Sequence, residues 1–315
     1  MTKIGRLIMA GVATGAISVA GPASAEALRL MTGPQGGSWY PLGGAIQNIV
    51  QKNMPDTSVQ VLPGGGVANV KAVDQGKADI AFANSVSTVD AIHGRGPFEE
   101  AVTNVCNIGT LYPQYFQIVA LQSAGIETPA DLEGKALATQ PRGNTAEDIT
   151  RQLLEAAGLS YEDLSQVHFV SYSDGVALMK DNNAAAMTLG TTVPASAIMD
   201  LDSAADITLV NVDDEMMAKM KELNPGYQAL TIPANSYPDQ AEDVQAIGYA
   251  THVVARCDLD ADTVYDMLKN LNANKGDLAA IASAMQGVTP KEMGQDVGVP
   301  MHEGAKRFYE EQGAS

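Results

Sequence analysis

Basic residues, cysteine, tryptophan and clustered metal ligands are all scarce in this chain. Of 315 residues, 19 are lysine or arginine and 37 are aspartate or glutamate, a net charge of −18. Nucleic acids and anionic membrane surfaces are bound through basic patches, so neither is an expected partner. A small anion remains open, because exposed charges are screened beyond about 8 Å at physiological salt and local donors decide its binding. His93, His168, His252 and His302 show no ligand spacing with one another or with the cysteines, so no metal site is expected. The chain has no Gly-x-Ser-x-Gly elbow and no Walker loop, and its first glycine loop reads Gly33-x-x-Gly36-Gly37 rather than Gly-x-Gly-x-x-Gly. An enzyme and a bound cofactor are therefore not expected. Tandem repeats and low-complexity segments are also missing.

Long apolar runs are confined to the N-terminus. Lys3 and Arg6 precede an apolar stretch from Leu7 to Ala20, and Ala23-Ser24-Ala25 supplies small residues for cleavage. The stretch falls short of the roughly 20 residues that span a bilayer. This pattern predicts a secretory signal peptide over residues 1–25, cut after Ala25, and a periplasmic protein with no membrane insertion thereafter. Cleavage removes two basic residues and no acid, so the net charge falls from −18 to −20. The remaining length suits two domains. The two cysteines, Cys106 and Cys257, stand at strand ends in Val105-Cys-Asn-Ile and Val254-Ala-Arg-Cys. Export permits a disulfide between them. The alternative is a pair of buried thiols acting as small apolar residues. Nothing in the sequence places the two strand ends side by side, so the thiols are the expectation.

The remaining pattern alternates short apolar runs with amphipathic helices, as parallel βαβ units do. Strand Ala27–Thr32 enters the loop Gly33–Ile46, where Pro41 suits the first turn of a helix. Gly36, Gly37 and Ser38 beside unpaired helix N–H groups read as an anion cradle. Strand Ser58–Leu62 leads through Gly64-Gly65-Gly66 into a helix carrying Val67, Val70 and Val73 on one face. Strand Asp79–Ala83 ends in Asn84-Ser85, with Ser87 or Thr88 as the cap of the next helix. In open α/β sheets ligands lie beyond such carboxyl ends of strands.

Beyond Ile108 come Tyr112, Tyr115 and a β run at Gln117–Leu121, then a helix start at Thr128-Pro129. Strand Lys135–Ala138 opens a second cradle, Thr139–Thr145, which carries Arg142, and a long helix follows to Ala157. Strand Val167–Ser171, helix Ser173–Asp181, strand Ala184–Leu189 and a helix from Val193 complete that unit. A second extended run, Asp243–Arg256, echoes the first, and Leu259–Gln312 is helical. Two extended runs are what a two-crossover hinge requires. The expected architecture is two α/β lobes with a ligand cleft between them, residues 26–115 plus 235–315 forming one and 116–234 the other.

Several segments together resemble the TAXI family of TRAP-transporter solute receptors. Gly36-Gly37-Ser38-Trp39-Tyr40-Pro41-Leu42-Gly43-Gly44 is similar to the family's Gly-Gly-x-Tyr-Tyr-Pro-Leu-Gly-Gly. Gln75–Phe82, Leu111–Pro113, Leu154–Leu159 and Pro300–Tyr309 also resemble family segments. The resemblance implies a type II periplasmic binding-protein fold, working as a monomer that hands a solute to the membrane subunits of a TRAP permease. The implied ligand is a C4–C6 dicarboxylate or acidic amino acid such as glutamate or 2-oxoglutarate. This chain departs from the family at Pro63–Gly66, Asn84–Val86, Pro141–Thr145 and Thr191-Thr192. A receptor of an ABC-type importer for another small anion is the alternative, followed by an exported enzyme using the same cleft.

The candidate ligand contacts follow from the strand ends. Gly37, Ser38 and Tyr40 belong to the first cradle, with Trp39 as an apolar wall or a core residue. Gly65 and Gly66 allow close backbone approach, and Asn84 and Ser85 either face the ligand or cap a helix. From the second lobe come Gly143, Asn144, Thr145, Thr191 and Thr192, with Arg142 as the countercharge for a carboxylate. Tyr112 and Tyr115 either line the cleft or pack beneath it.

Overall fold

A computed structural model describes residues 26–33, 37–224 and 226–314 of the chain. The expected signal peptide, together with Pro34, Gln35 and Gly36 of the first cradle, lies outside the described residues.

The first lobe is built from βαβ units. Strand β1 (Glu26–Met31) pairs in parallel with β2 (Thr57–Leu62), setting Leu28 beside Val59 and Leu30 beside Val61. Between them α1 (Trp39–Asn53) buries Leu42, Ile46, Ile49 and Val50, a spacing that aligns one helical face with the sheet. Helix α2 (Gly66–Asp74) buries Val67, Val70 and Val73, and leads to β3 (Ile80–Asn84), fully buried, and α3 (Ser85–Ile92). Because α3 starts at Ser85, Asn84 occupies its cap position. This corrects the expectation that Ser87 or Thr88 caps the helix: both lie within its first turns and bond elsewhere.

Strand β4 (Cys106–Leu121) is longer than the β run at Gln117–Leu121 expected from the sequence. Its buried, alternating aromatics continue the strand through Tyr112 and Phe116. The second lobe then follows, with β5 (Ala136–Thr139), α4 (Thr145–Ala156), β6 (Gln166–Phe169), α5 (Tyr172–Lys180) and β7 (Ala186–Thr191). Thr128 and Asp131 form the expected capping box, around a single 3₁₀ turn at Pro129–Leu132. Helix α6 (Ser196–Asp202) begins three residues later than expected, after a cis Val193–Pro194 bond. Strand β8 (Ile207–Leu209), α7 (Asp214–Leu223) and β9 (Gln228–Ile232) close the unit.

Strand β10 (Val244–Ala255) returns antiparallel along β4, and the pairing is irregular between Ala250 and His252 and between Val253 and Val254. Among the described residues the strands join in the order β2-β1-β3-β10-β4-β7-β5-β6, with β8 on β4 and β9 on β10. Strands β4 and β10 are thus the two crossovers. Ala246, Ile247 and Tyr249 pack in the second-lobe cores, whereas Val253 and Val254 pack in those of the first. The chain ends in α8 (Ala261–Ala273), α9 (Lys275–Ile281), α10 (Pro290–Met293) and α11 (Glu303–Glu311); α8, α9 and α11 bury apolar side chains in the core that α1 also enters.

The cysteines are joined, which corrects the expectation of free thiols. The antiparallel register sets Cys106 opposite Ala255, so Cys257 lies just past the end of β10 within reach of the start of β4. The Cα atoms are 5.0 Å apart and the S–S bond is formed. Beside it Asp79, buried at the base of β3, meets Arg29 Nε at 2.8 Å and Arg256 Nε at 3.3 Å. Burial works against its charge, but these guanidinium groups hold the Asp79 carboxyl below the usual carboxylate range.

Candidate functional site

Four helices point their N-termini into one cavity between the lobes. Their cap positions are Ser38 for α1, Gly65 for α2, Asn84 for α3 and Asn144 for α4, and all four line it. None of these caps bonds its own helix through a side chain. Of the other helices, α5, α7, α8 and α11 are capped by Ser171, Asp213, Asp260 and His302, which accept first-turn N–H groups, whereas α6 and α9 have no side-chain cap. The four helix ends at the cleft are thus open to a ligand, without being the only uncapped ones among the described residues. Uncapped first turns concentrate N–H donors and the positive ends of helix dipoles. Such an arrangement attracts an anion without a formal cation.

The cavity has a volume of about 40 Å³. The first lobe lines it with Gly33, Gly37, Ser38, Trp39, Gly65, Gly66 and Asn84. The second contributes Gln140, Asn144, Thr145, Ala146, Tyr172, Gly190 and Thr191, while Gln114 and Tyr249 come from the crossing strands. No lysine, arginine or histidine is among these residues. Asn84 is 4% exposed, and its Oδ1 meets no donor among the described residues, which leaves the amide available to a ligand. Gln114 Nε2 donates to Thr251 Oγ1 at 2.7 Å. Ser38 Oγ lies 3.3 Å from the Tyr112 hydroxyl, whose pKa burial pushes up to about 12. Trp39 stacks on Phe82 with ring centroids 5.5 Å apart, so the wall residue is also a core residue.

The lobes are closed on one another. Ala68 N donates to Gly143 O at 3.0 Å, and Ser87 Oγ meets Thr145 Oγ1 at 2.8 Å. Farther along α3, Asn224 Nδ2 donates to Asp90 Oδ2 at 2.8 Å. Burial raises the Asp90 pKa, against the opposing pull of Asn224 and Arg95.

Of the residues expected at the site, Gly37, Ser38, Trp39, Gly65, Gly66, Asn84, Asn144, Thr145 and Thr191 are brought together here. Five are placed elsewhere. Tyr40 faces solvent on α1. Ser85 Oγ accepts the Ala250 N–H and so ties α3 to β10. Gly143 contributes only its carbonyl, to Ala68, and Thr192 lines an adjoining chamber. Arg142 does not reach the cavity, which corrects its expected role as the countercharge. Its side chain is 67% exposed, its guanidinium carbon lies 4.4 Å from the Phe169 ring centroid, and Nη1 is 3.8 Å from Glu147 Oε1. Tyr112 lies beneath the site rather than in it.

Gly33, Gln114, Gln140, Ala146, Tyr172, Gly190 and Tyr249 also line the cavity and are not among the contacts expected from the sequence. Tyr172 opens α5 directly after β6 and was legible by the strand-end logic already applied to the other cradles. Gln114 is a polar residue inside a buried strand, a signal that only matters once the strand is known to cross the cleft. Gly190 is required because the Tyr249 hydroxyl lies over it, 2.0 Å from where a Cβ would stand.

The sequence model of the NMT1-like family matches residues 30–313. Among solved structures, the alkanesulfonate-binding protein SsuA from Xanthomonas axonopodis pv. citri bound to MOPS is 15% identical. The alignment covers 90% of this chain and 83% of that one, with a TM-score of 0.50. A putative L-cystine ABC transporter from Listeria monocytogenes is 14% identical over 84% of this chain and 97% of its own, with a TM-score of 0.51. An ancestral arginine-binding protein bound to arginine is 14% identical over 84% and 100%, with a TM-score of 0.50. At such identities the likeness is one of fold: two α/β lobes of the type II periplasmic binding-protein class.

Proposed function

The chain belongs to the NMT1-like family, and from that premise we propose that it is an extracytoplasmic solute receptor that closes its lobes on a small organic anion and delivers it to a membrane permease. The observation that carries this reading is the convergence of four helix N-termini, none capped by its own side chain, on a cavity between the lobes. Each partly buried helix end contributes up to about 2 kcal/mol to an anion. Several such ends, with amide and hydroxyl bonds, are enough for the roughly −8 kcal/mol of micromolar binding after the cost of closure.

An ABC-type importer is our reading of the partner, since one fold relative is named a putative L-cystine ABC transporter. The TRAP reading, and with it glutamate, 2-oxoglutarate or another C4–C6 dicarboxylate, rests on the motif resemblance alone. Uptake into vesicles separates the two partners: dependence on ATP hydrolysis supports the first, dependence on an ion gradient the second. For lobe opening we place the hinge in β4 near Gln114 and in β10 near Ala250, and export rests on the N-terminal sequence.

Trp39 is the only tryptophan and lines the cavity, so its fluorescence reports binding. Titration with butanoate, butanesulfonate, succinate, glutamate and 2-oxoglutarate is expected to give saturable binding of at least one, with the ligand recovered unchanged. Saturable binding of none overturns the reading, and turnover of a bound ligand favours an exported enzyme instead.

A further inference from the structure

A second chamber of about 240 Å³ adjoins the cavity and shares Gly37, Ser38, Tyr172 and Thr191 with it. Its outer wall is the segment from Thr192 to Ala197, and no charged side chain lines it among the described residues. The wall is held in place. Ala195 N donates to the Tyr237 hydroxyl at 2.9 Å, which donates in turn to Gln117 Oε1 at 2.6 Å. The Tyr172 hydroxyl donates to Gly190 O at 2.8 Å, at the start of the same segment.

The two volumes divide the ligand. The cavity at the helix N-termini, at about 40 Å³, is the smaller of the two and suits the anionic head group, which the helix ends attract. The adjoining chamber, at about 240 Å³, offers the larger space for the rest of the ligand. We infer that this chamber is a subsite for an uncharged tail, so that the solutes received are singly charged organic anions rather than dicarboxylates. The inference rests on the receptor reading above and adds to it the charge and shape of the ligand.

Charge decides against the diacid. A second carboxylate in the outer chamber would give up part of its hydration with no cation among the described lining residues to meet it, which disfavours it relative to an uncharged tail. Arg142, the cation of the second cradle, is turned onto Phe169 and Glu147. A methylene chain incurs no such penalty and gains up to about fourfold in affinity per buried group. The walls of Thr192, Pro194, Ala195 and Ser196 are small enough to accept an unbranched chain.

The test is a Trp39 fluorescence titration of the full mature chain with acetate, butanoate, hexanoate and adipate, and in parallel with methane-, butane- and hexanesulfonate. Affinity is expected to rise with chain length in whichever head-group series binds, by up to about fourfold per methylene. Adipate is expected to bind at least tenfold more weakly than hexanoate. The Ala197→Phe variant, narrowing the outer chamber, should cost the six-carbon anion at least tenfold more than the shortest one; Thr192→Phe provides the same comparison from the other end of that wall segment if the first variant folds poorly. Adipate binding as tightly as hexanoate, or affinity independent of chain length, overturns the tail subsite and leaves the receptor reading standing. Binding of no member of either series overturns both.

Discussion

Gly65 lies against Asn144 across the cleft: a Cβ on Gly65 would stand 1.9 Å from Asn144 Oδ1. Its neighbour Gly66 is as tightly met, with Thr145 Oγ1 2.0 Å from the corresponding position and Asn84 Nδ2 at 3.0 Å. These glycines permit the two cradles to touch. Gly66→Ala should leave the open protein largely intact, since within the first lobe only the Asn84 amide, 3.0 Å from the new Cβ, must shift, yet obstruct closure. The expected outcome is an affinity lowered tenfold or more with a melting temperature close to that of the parent. Undiminished affinity by calorimetry would show that the lobes close without this contact.

Much of this cleft is legible in the sequence because each cradle repeats one local rule, an apolar strand running into small or polar residues and then a helix. Ser38, Gly65, Asn84 and Asn144 all stand at such junctions. The direction of a long side chain obeys no local rule. Arg142 was expected to face a carboxylate because its loop borders the cleft, but Phe169 and Tyr161, distant in sequence, form the aromatic shelf on which it lies. Gln114 and Tyr249 escaped for a related reason: they reach the cavity only because β4 and β10 cross between lobes. The cysteine pairing depends on that same long-range register.

Arg142→Ala follows from the corrected placement. The guanidinium lies largely in water, and its buried partner Glu147 is 3.8 Å away and also accepts the Tyr161 hydroxyl, so the long, water-screened pair adds little to the site. Anion affinity is expected to change less than twofold, with a small loss of thermal stability from the ring contacts. A tenfold or greater fall in affinity would return Arg142 to the role of countercharge.

Removing the Cys106–Cys257 bond should cost stability without abolishing binding. The bridge spans 151 residues of sequence, and closing a loop of that size in the unfolded chain is worth about 5 kcal/mol in the chain-entropy account, commonly less in practice. It joins β4 and β10 at the first-lobe end, away from the helix N-termini that line the cavity. The double variant Cys106→Ala, Cys257→Ala is expected to unfold at lower urea concentration while its ligand affinity changes little. An unchanged unfolding midpoint would rule out a stabilising role.

His252 should make the fold sensitive to mild acid. It is fully buried on β10, and its Nε2 lies 2.8 Å from Thr88 Oγ1. The Thr88 hydroxyl donates to Asn84 O, so the proton of this pair sits on Nε2 and leaves Nδ1 bare, with no partner among the described residues. Protonating Nδ1 would bury a charge without an acceptor, and burial accordingly lowers the pKa from 6.5 to about 3. Below pH 6.5 the unfolded chain takes up a proton that the folded one refuses. The stability associated with neutral His252 is therefore complete above that pH and is lost as pH falls toward 3. The slope is about 1.4 kcal/mol per pH unit and the total at most about 4–5 kcal/mol. His252→Gln keeps a donor for Thr88 and cannot titrate. Urea unfolding of parent and variant between pH 7 and pH 4 isolates the effect, because the carboxylates common to both cancel in the difference. The parent is expected to lose stability faster than the variant as pH falls; a difference that stays constant across the range would mean that His252 is protonated in the folded chain as readily as in the unfolded one.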